Sequence, residues 1–366
     1  MNAVFAIGSN GSGQLGIGHK EDVSVPKPVL FHPSQPNSPI VKIAAGGNHT
    51  LILSKGGEVY WSGDSTSGAC GIGPRTNLPA FLEIKLVRDG EPGIGEISLI
   101  AATWEASIFV AKDAKGKNTA VFTCGVGSKG ELGAGEMMVR TPTATRLTGF
   151  PPPNTEIVDL HACMGHVVAV LDNGDAYGWG NCRKGQTGQP AAVLYASRKI
   201  EDVGFPVRRA VCCKEATCLF GDPAKGDFKV MGSDKWSLQS SAPVTAPDWI
   251  DVGASWGNIY ILTRQGKLEA WGRDDHGQLP PPDLPRLAQI AVGSEHVVAL
   301  ADTGDVLSWG WGEHGNCGPK VEDNIVKGRF NVIASSKFIP NGSAVEAIGA
   351  GCATSWVYIA EAGNPA

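Results

Sequence analysis

Short apolar runs recur along this chain, each closed by a glycine-bearing turn and followed by an aromatic segment that ends in glycine. One unit runs from Val41 to Leu53 and on through Gly56 to Asp64. It returns as Ile157 to Leu171 with Asn173 to Asn181, and again as Ile290 to His296 with Gly304 to Gly310. In all three a histidine (His49, His166, His296) stands eight residues before the hairpin glycine (Gly57, Gly174, Gly304), so the units align. Short runs punctuated by glycine predict strands rather than helices. Each unit reads as an inner apolar strand, a tight turn, a second apolar strand, a hairpin and an aromatic strand.

Two series of seven emerge. The glycines that end the aromatic strand are Gly8, Gly63, Gly125, Gly180, Gly232, Gly272 and Gly310. The inner strands start near Val41, Ile97, Ile157, Val207, Trp249, Leu287 and Val345. The series are offset: the chain opens with an aromatic strand, Val4 to Gly8, and closes with an inner pair, Val345 to Ile359. Each end must complete the other. Repeats of this length cannot bury both sheet faces alone, and radial stacking buries them while leaving only short edges. The expectation is an all-β, seven-bladed β-propeller, one domain over residues 1–366, closed by pairing of its N- and C-terminal strands. The stretches Phe31 to Pro39, Asp89 to Gly95, Met137 to Asn154, Gln189 to Asp202 and Lys320 to Asn341 read as long loops.

Composition narrows the function. With 49 glycines and only 18% charged residues, the chain fits many tight turns and excludes a coiled coil or helical bundle. A net charge of −5 with scattered basic residues argues against a phosphate-tracking nucleic-acid platform. No apolar run is long enough to span a membrane as a helix. The opening Met1-Asn2-Ala3-Val4-Phe5 lacks the pattern of a signal peptide. The nine cysteines include no Cys-x-x-Cys pair and read as reduced, mostly buried thiols. A cytoplasmic chain, extending to the nucleus, is expected.

The run Gly8-Ser9-Asn10-Gly11-Ser12-Gly13-Gln14-Leu15-Gly16 resembles the repeat of the regulator-of-chromosome-condensation family. So do Gly125 to Gly133 and Gly272 to Leu279, and the resemblance is weakest over Val207 to Ser237. It implies seven blades. Trp309 to Pro319, Gly351 to Trp356, Phe5 to Gly11, Gly46-Gly47-Asn48-His49 and Thr103-Trp104-Glu105 are similar to the killer-toxin-insensitivity branch of that family. That likeness implies a non-enzymatic adaptor. Its implied partner is a small acidic zinc-ribbon protein of diphthamide biosynthesis, joined as a heterodimer. Through it the adaptor would support diphthamide formation on elongation factor two and, through the Elongator complex indirectly, modification of the tRNA wobble uridine.

The residues themselves are read alongside. Gly11 to Gly16 matches G-x-G-x-x-G, but Pro26 and Pro28 follow where a dinucleotide site needs a helix, so the run is a repeat turn. His49, His166 and His296 are expected to bond a carbonyl of their own turn. No nucleophile, paired carboxylates or converging ligands stand out, so no catalysis, cofactor or resident metal is expected. Trp61, Trp179, Trp271 and Trp309 precede a repeat glycine and should pack between blades. Trp104, Trp236, Trp256 and Trp311 fall outside that register, and off-register tryptophans suit an interface. The expected partner surface is Trp104, Glu105, His296, Trp311, Glu313, His314, Asn316 and Cys317. Asn316-Cys317 replaces the Gln-Leu of the repeat, which suggests selection by something other than packing. The rival classes are guanine-nucleotide exchange on a small GTPase, which in this family goes with a basic tail absent here, and a tryptophan-based light receptor, whose Gly-Trp-Arg-His-Thr runs are also absent.

Overall fold

In this computed structural model, which describes residues 2–73, 79–86 and 94–361, all seven repeat glycines take a left-handed backbone, with φ from 105° to 126°. A Cβ at Gly8, Gly63 or Gly125 would lie 2.2 Å from a turn carbonyl: that of Ala353, Asn48 or Glu105. Only glycine lets the third strand of each repeat come this close to the turn between the first two.

Among the described residues the strands form seven sheets. From the axis outward, blade 1 is Ile40–Ala45, His49–Ser54, Val59–Gly63 and Phe81–Glu83, with Phe31–His32 added in parallel. Blade 2 is Ile97–Ala102, Ala106–Lys112, Asn118–Val126 and Arg140–Arg146. Blade 3 is Ile157–Cys163, His166–Leu171, Ala176–Cys182 and Ala192–Lys199. Blades 4 (Arg209–Cys212, Ala216–Phe220, Phe228–Gly232) and 5 (Trp249–Ala254, Asn258–Thr263, Leu268–Gly272) have three described strands each. Blade 6 is Leu287–Val292, His296–Ala301, Val306–Trp311 and Ile325–Ala334. Blade 7 joins the chain ends: Ser343–Ala350 and Thr354–Glu361 continue into Ala3–Gly8 and Val23–Pro28. Ala3 pairs Ile359 and Gly8 pairs Thr354, the closure read from the offset series.

Each inner strand packs on the next, and that of blade 7 on that of blade 1, so the ring is complete. The core is seven seams rather than one centre. Leu51, Trp61, Phe109 and Phe122 fill the seam between blades 1 and 2, and Tyr260, Val297, Trp309 and Cys317 the seam between blades 5 and 6. Trp61, Trp179, Trp271 and Trp309 are all buried in such seams. Three of them donate their indole N–H to the preceding blade: Trp179 to Glu131, Trp271 to Leu238 and Trp309 to Gln278 carbonyls.

Two expectations are corrected. Met137 to Asn154, Gln189 to Asp202 and Lys320 to Asn341 are not simple loops; each carries the outermost strand of its blade. Asp89 to Gly95 lies largely outside the described residues. The aligned histidines do not bond their own turns. His49 Nε2 meets Ser107 Oγ at 3.1 Å, His166 Nε2 meets Thr217 Oγ1 at 2.9 Å and His296 Nε2 meets Ser355 Oγ at 2.9 Å. Each hydroxyl belongs to the next blade. Ser107 and Ser355 pass the bond on to the Ala69 and Asn316 carbonyls of the histidine blade's own loop. Burial pushes all three imidazoles down to about pKa 4, so they are neutral staples.

Candidate functional site

Two kinds of segment emerge on one face of the ring, because the third strand of every blade ends beside the turn between the first two. One is that inner turn; the other is the loop that follows the repeat glycine. All four off-register tryptophans lie on this loop face. Trp104 and Trp256 occupy the inner turns of blades 2 and 5, Trp236 the loop of blade 4, and Trp311 the end of the third strand of blade 6, where its loop begins.

At the axis the Trp104 and Trp256 rings meet at 6.1 Å between centroids, tilted by 47°. Their turns are tied to their neighbours by backbone bonds. Trp104 N–H donates to the Met164 carbonyl, Gly47 N–H to the Trp104 carbonyl, and Trp256 N–H to the Ser294 carbonyl, each at 2.9 Å. Trp104 keeps 38% of its surface exposed. The Lys214 ammonium lies 5.4 Å above the Trp256 ring, within cation–π range.

The aromatic surface continues outward. Trp236 lies against Gly257, next to Trp256, where a Cβ would approach the indole to 3.0 Å. Trp236 and Ser237 both hold positive φ, 66° and 56°, which side-chain-bearing residues adopt at a cost of about 1 kcal/mol or more each. The loop is held there by Asp234, whose carboxylate accepts the Gln239 and Ser240 N–H groups at 2.6 and 3.0 Å. The Arg273 guanidinium sits 4.9 Å above the Trp236 ring. It also pairs with Glu295, whose carboxylate is nearly buried, and with Asp275 at 2.6 Å. Burial alone would raise the Asp275 carboxyl; hydrogen bonds from Arg273 and Gln278 and the guanidinium charge bring it down to about pKa 2. The second Glu295 oxygen is 2.8 Å from His276 Nδ1. His276 stacks on Trp311 at 5.9 Å, Trp311 meets His314 edge-on at 6.0 Å, and His314 Nδ1 reaches Asp22 of blade 7 at 2.7 Å. One connected set of rings and charges thus crosses the face from axis to rim over blades 4 to 7.

The structure sorts the expected contact residues. It places Trp104, Glu105, Trp311, Glu313 and His314 at the surface of the loop face. Asn316, Cys317 and His296 are buried, at 1%, 0% and 1% exposure, and belong to the packing rather than to an open surface. Cys317 fills the position that Leu15 and Leu132 fill in other loops, and burial pushes its thiol up to about pKa 12. Asn316 Nδ2 donates to the carbonyl five residues upstream at 2.8 Å, as Gln186 Nε2 does. Packing and loop closure explain both substitutions. Arg273, His276 and Glu295 had not been singled out as contact residues. Only Arg273 leaves a signal, and it lies in one column. The residue after each repeat glycine reads Ser9, Asp64, Val126, Asn181, Ser233, Arg273 and Trp311, and turns large only in blades 5 and 6.

The loop that recurs on this face is also what ties the chain to known proteins. Family models of the regulator of chromosome condensation (RCC1) repeat match residues 2–53, and residues 40–69 and 287–316. In these segments the chain carries the RCC1 repeat. An RCC1 repeat-containing protein of Schizosaccharomyces pombe is 28% identical over 98% of this chain and 99% of its own length. The mouse secretion-regulating guanine nucleotide exchange factor is 27% identical over 88% of this chain and 77% of its own length. The RCC1-type propeller Prp20p of Saccharomyces cerevisiae superposes with a TM-score of 0.77 at 19% identity, covering 99% of this chain and 92% of that one, a likeness of fold.

Among the described residues no group of three or more His, Cys, Asp or Glu is placed to hold a metal, and no helix is long and apolar enough to cross a membrane.

Proposed function

We propose that this RCC1-repeat propeller is a non-catalytic adaptor of the killer-toxin-insensitivity (alpha-tubulin suppressor) type. Its loop face takes a small zinc-ribbon protein of diphthamide biosynthesis in a heterodimer. Through that partner it supports diphthamide formation on elongation factor two and Elongator-dependent modification of the tRNA wobble uridine, in the cytoplasm and the nucleus. The supporting observation is the gathering of Trp104, Trp236, Trp256 and Trp311 on one face, outside the register that packs blades. Tryptophan and arginine dominate interface hot spots, and here both meet at Trp236–Arg273. The chain itself brings no metal or cofactor to this role. The test is co-purification of the two recombinant proteins. A stable one-to-one complex that Trp311→Ala disrupts supports the reading; no complex with the folded zinc-ribbon protein refutes it.

A second reading is exchange of guanine nucleotide on a small GTPase, favoured by the 27% identity to a relative that bears that name. Accelerated release of labelled GDP from a panel of small GTPases would establish it in place of the adaptor.

A further inference from the structure

Opposite the partner face, the axis of the ring is hollow. The channel has a volume of about 560 Å³ and is lined by all seven inner strands. Trp104 and Trp256 line its loop-face end, where their rings meet. At the other end, where the inner strands begin, Val41, Val158 and Ile250 are exposed. The volume falls in the range of small-molecule sites.

Its wall carries charge that the fold does not use up. Arg209 of blade 4 lies between two carboxylates, with Nε 3.5 Å from Asp159 and Nη2 3.3 Å from Asp251. Both carboxylates are engaged with the backbone as well: Asp159 accepts the Ala210 N–H and Asp251 the Val252 N–H, each at 2.9 Å. The donors are less occupied. Lys42 has no hydrogen bond or ion pair to any described residue. His161 Nδ1 accepts the Cys212 N–H at 3.1 Å, which leaves the proton of the neutral ring on Nε2, where it has no acceptor among the described residues. Arg209 Nε makes no hydrogen bond of good geometry. Burial first, with the charges of Lys42 and Arg209 adding to it, lowers His161 to about pKa 3, so the ring stands neutral.

We propose that the channel is a binding site for a small oxyanion, seated against Lys42, His161 Nε2–H and Arg209. The oxyanion chemistry is shared by phosphate and by a small carboxylate. Either would supply acceptors to unfilled donors without displacing the backbone bonds that occupy Asp159 and Asp251. The three donors lie on the inner strands and not on the turns and loops of the loop face, so the site stands or falls independently of the partner.

The test uses the isolated full chain. Inorganic phosphate and acetate are titrated in separate arms by calorimetry, with melting temperature and tryptophan fluorescence, which Trp104 and Trp256 contribute to, as second readouts. Saturable binding that raises the melting temperature is expected. Lys42→Met should weaken it by about tenfold or more. Lys42→Arg should restore it, and Lys267→Met, on the outside of blade 5, should leave it unchanged. The arm that saturates at lower concentration identifies the anion class. If Lys42→Met does not fold, Lys42→Gln carries the same comparison. Absence of saturation in both arms, or equal titration of wild type and the Lys42 variants, overturns the proposal.

Discussion

Eight of the ten tryptophans divide into two regions with opposite physics. Trp61, Trp179, Trp271 and Trp309 stand one residue before a repeat glycine and vanish into the seams. Trp104, Trp236, Trp256 and Trp311 stand on the loop face, where they meet each other, a lysine, an arginine and two histidines. Trp309 and Trp311 are two residues apart on one strand, yet Trp309 is fully buried and Trp311 only in part. On a regular strand the two would face the same side; Gly310 between them, at φ 106°, breaks that geometry, so position relative to the repeat glycine and not residue type decides whether an indole fills a seam or presents a surface.

Cutting the chain before Val345 is the harshest test of the seam side. It removes the pairing of Thr354–Glu361 with Ala3–Gly8 and leaves a bare edge in blade 7. Loss of cooperative unfolding, or aggregation, is expected by calorimetry and light scattering; a soluble truncation with a sharp melt would show that closure is dispensable. Next in size, Trp309→Ala should cost about 3 to 5 kcal/mol of stability in denaturant titrations, the usual range for emptying a buried aromatic site. Its neighbour gives the contrast. Trp311→Ala should lower affinity for the proposed zinc-ribbon partner by about 30- to 900-fold, equivalent to about 2 to 4 kcal/mol, while the melting temperature barely moves. A large drop in stability for Trp311→Ala would place it with the seams and dissolve the distinction.

Acid probes the seams through their histidines. An unfolded histidine titrates near pKa 6.5, whereas His49, His166 and His296 titrate at about 4 in the folded chain. Between those values the unfolded chain binds the extra proton, so stability is full above about pH 6.5 and drains away as pH falls toward 4. Each histidine should contribute about 1 to 2 kcal/mol of that loss between pH 7 and 5. A flat denaturation midpoint over this interval would mean that the imidazoles are not neutral staples. Smallest of all, Ser355→Ala should cost about 1 kcal/mol, because it opens one link between His296 and the Asn316 carbonyl.

The ring itself was legible from the chain because its determinants repeat. Seven glycines recur at one register position, and the offset between strand series implies the closure. The outermost strands were harder to read. Arg140–Arg146 and Ala192–Lys199 are half exposed, so their apolar pattern is weak and they resemble loops. The histidine partners were beyond reach for another reason: each hydroxyl lies 51 to 59 residues away, and only the folded ring brings them together. On the loop face the four tryptophans announced themselves by breaking register. Asn316 and Cys317 misled because a shorter amide and a thiol can do the work of Gln and Leu in the same turn.

The mixed composition of blade 7 has a consequence in time. Ala3–Gly8 leaves the ribosome before every other strand of the ring, and its partner Thr354–Glu361 only after all the other blades. Until then the first strand has an unpaired edge and blade 1 has no seventh neighbour. The other blades can form in order as they emerge, each on the one before. The ring therefore spends its synthesis as an open arc, and the final strands act as the latch that ends its exposure to other chains.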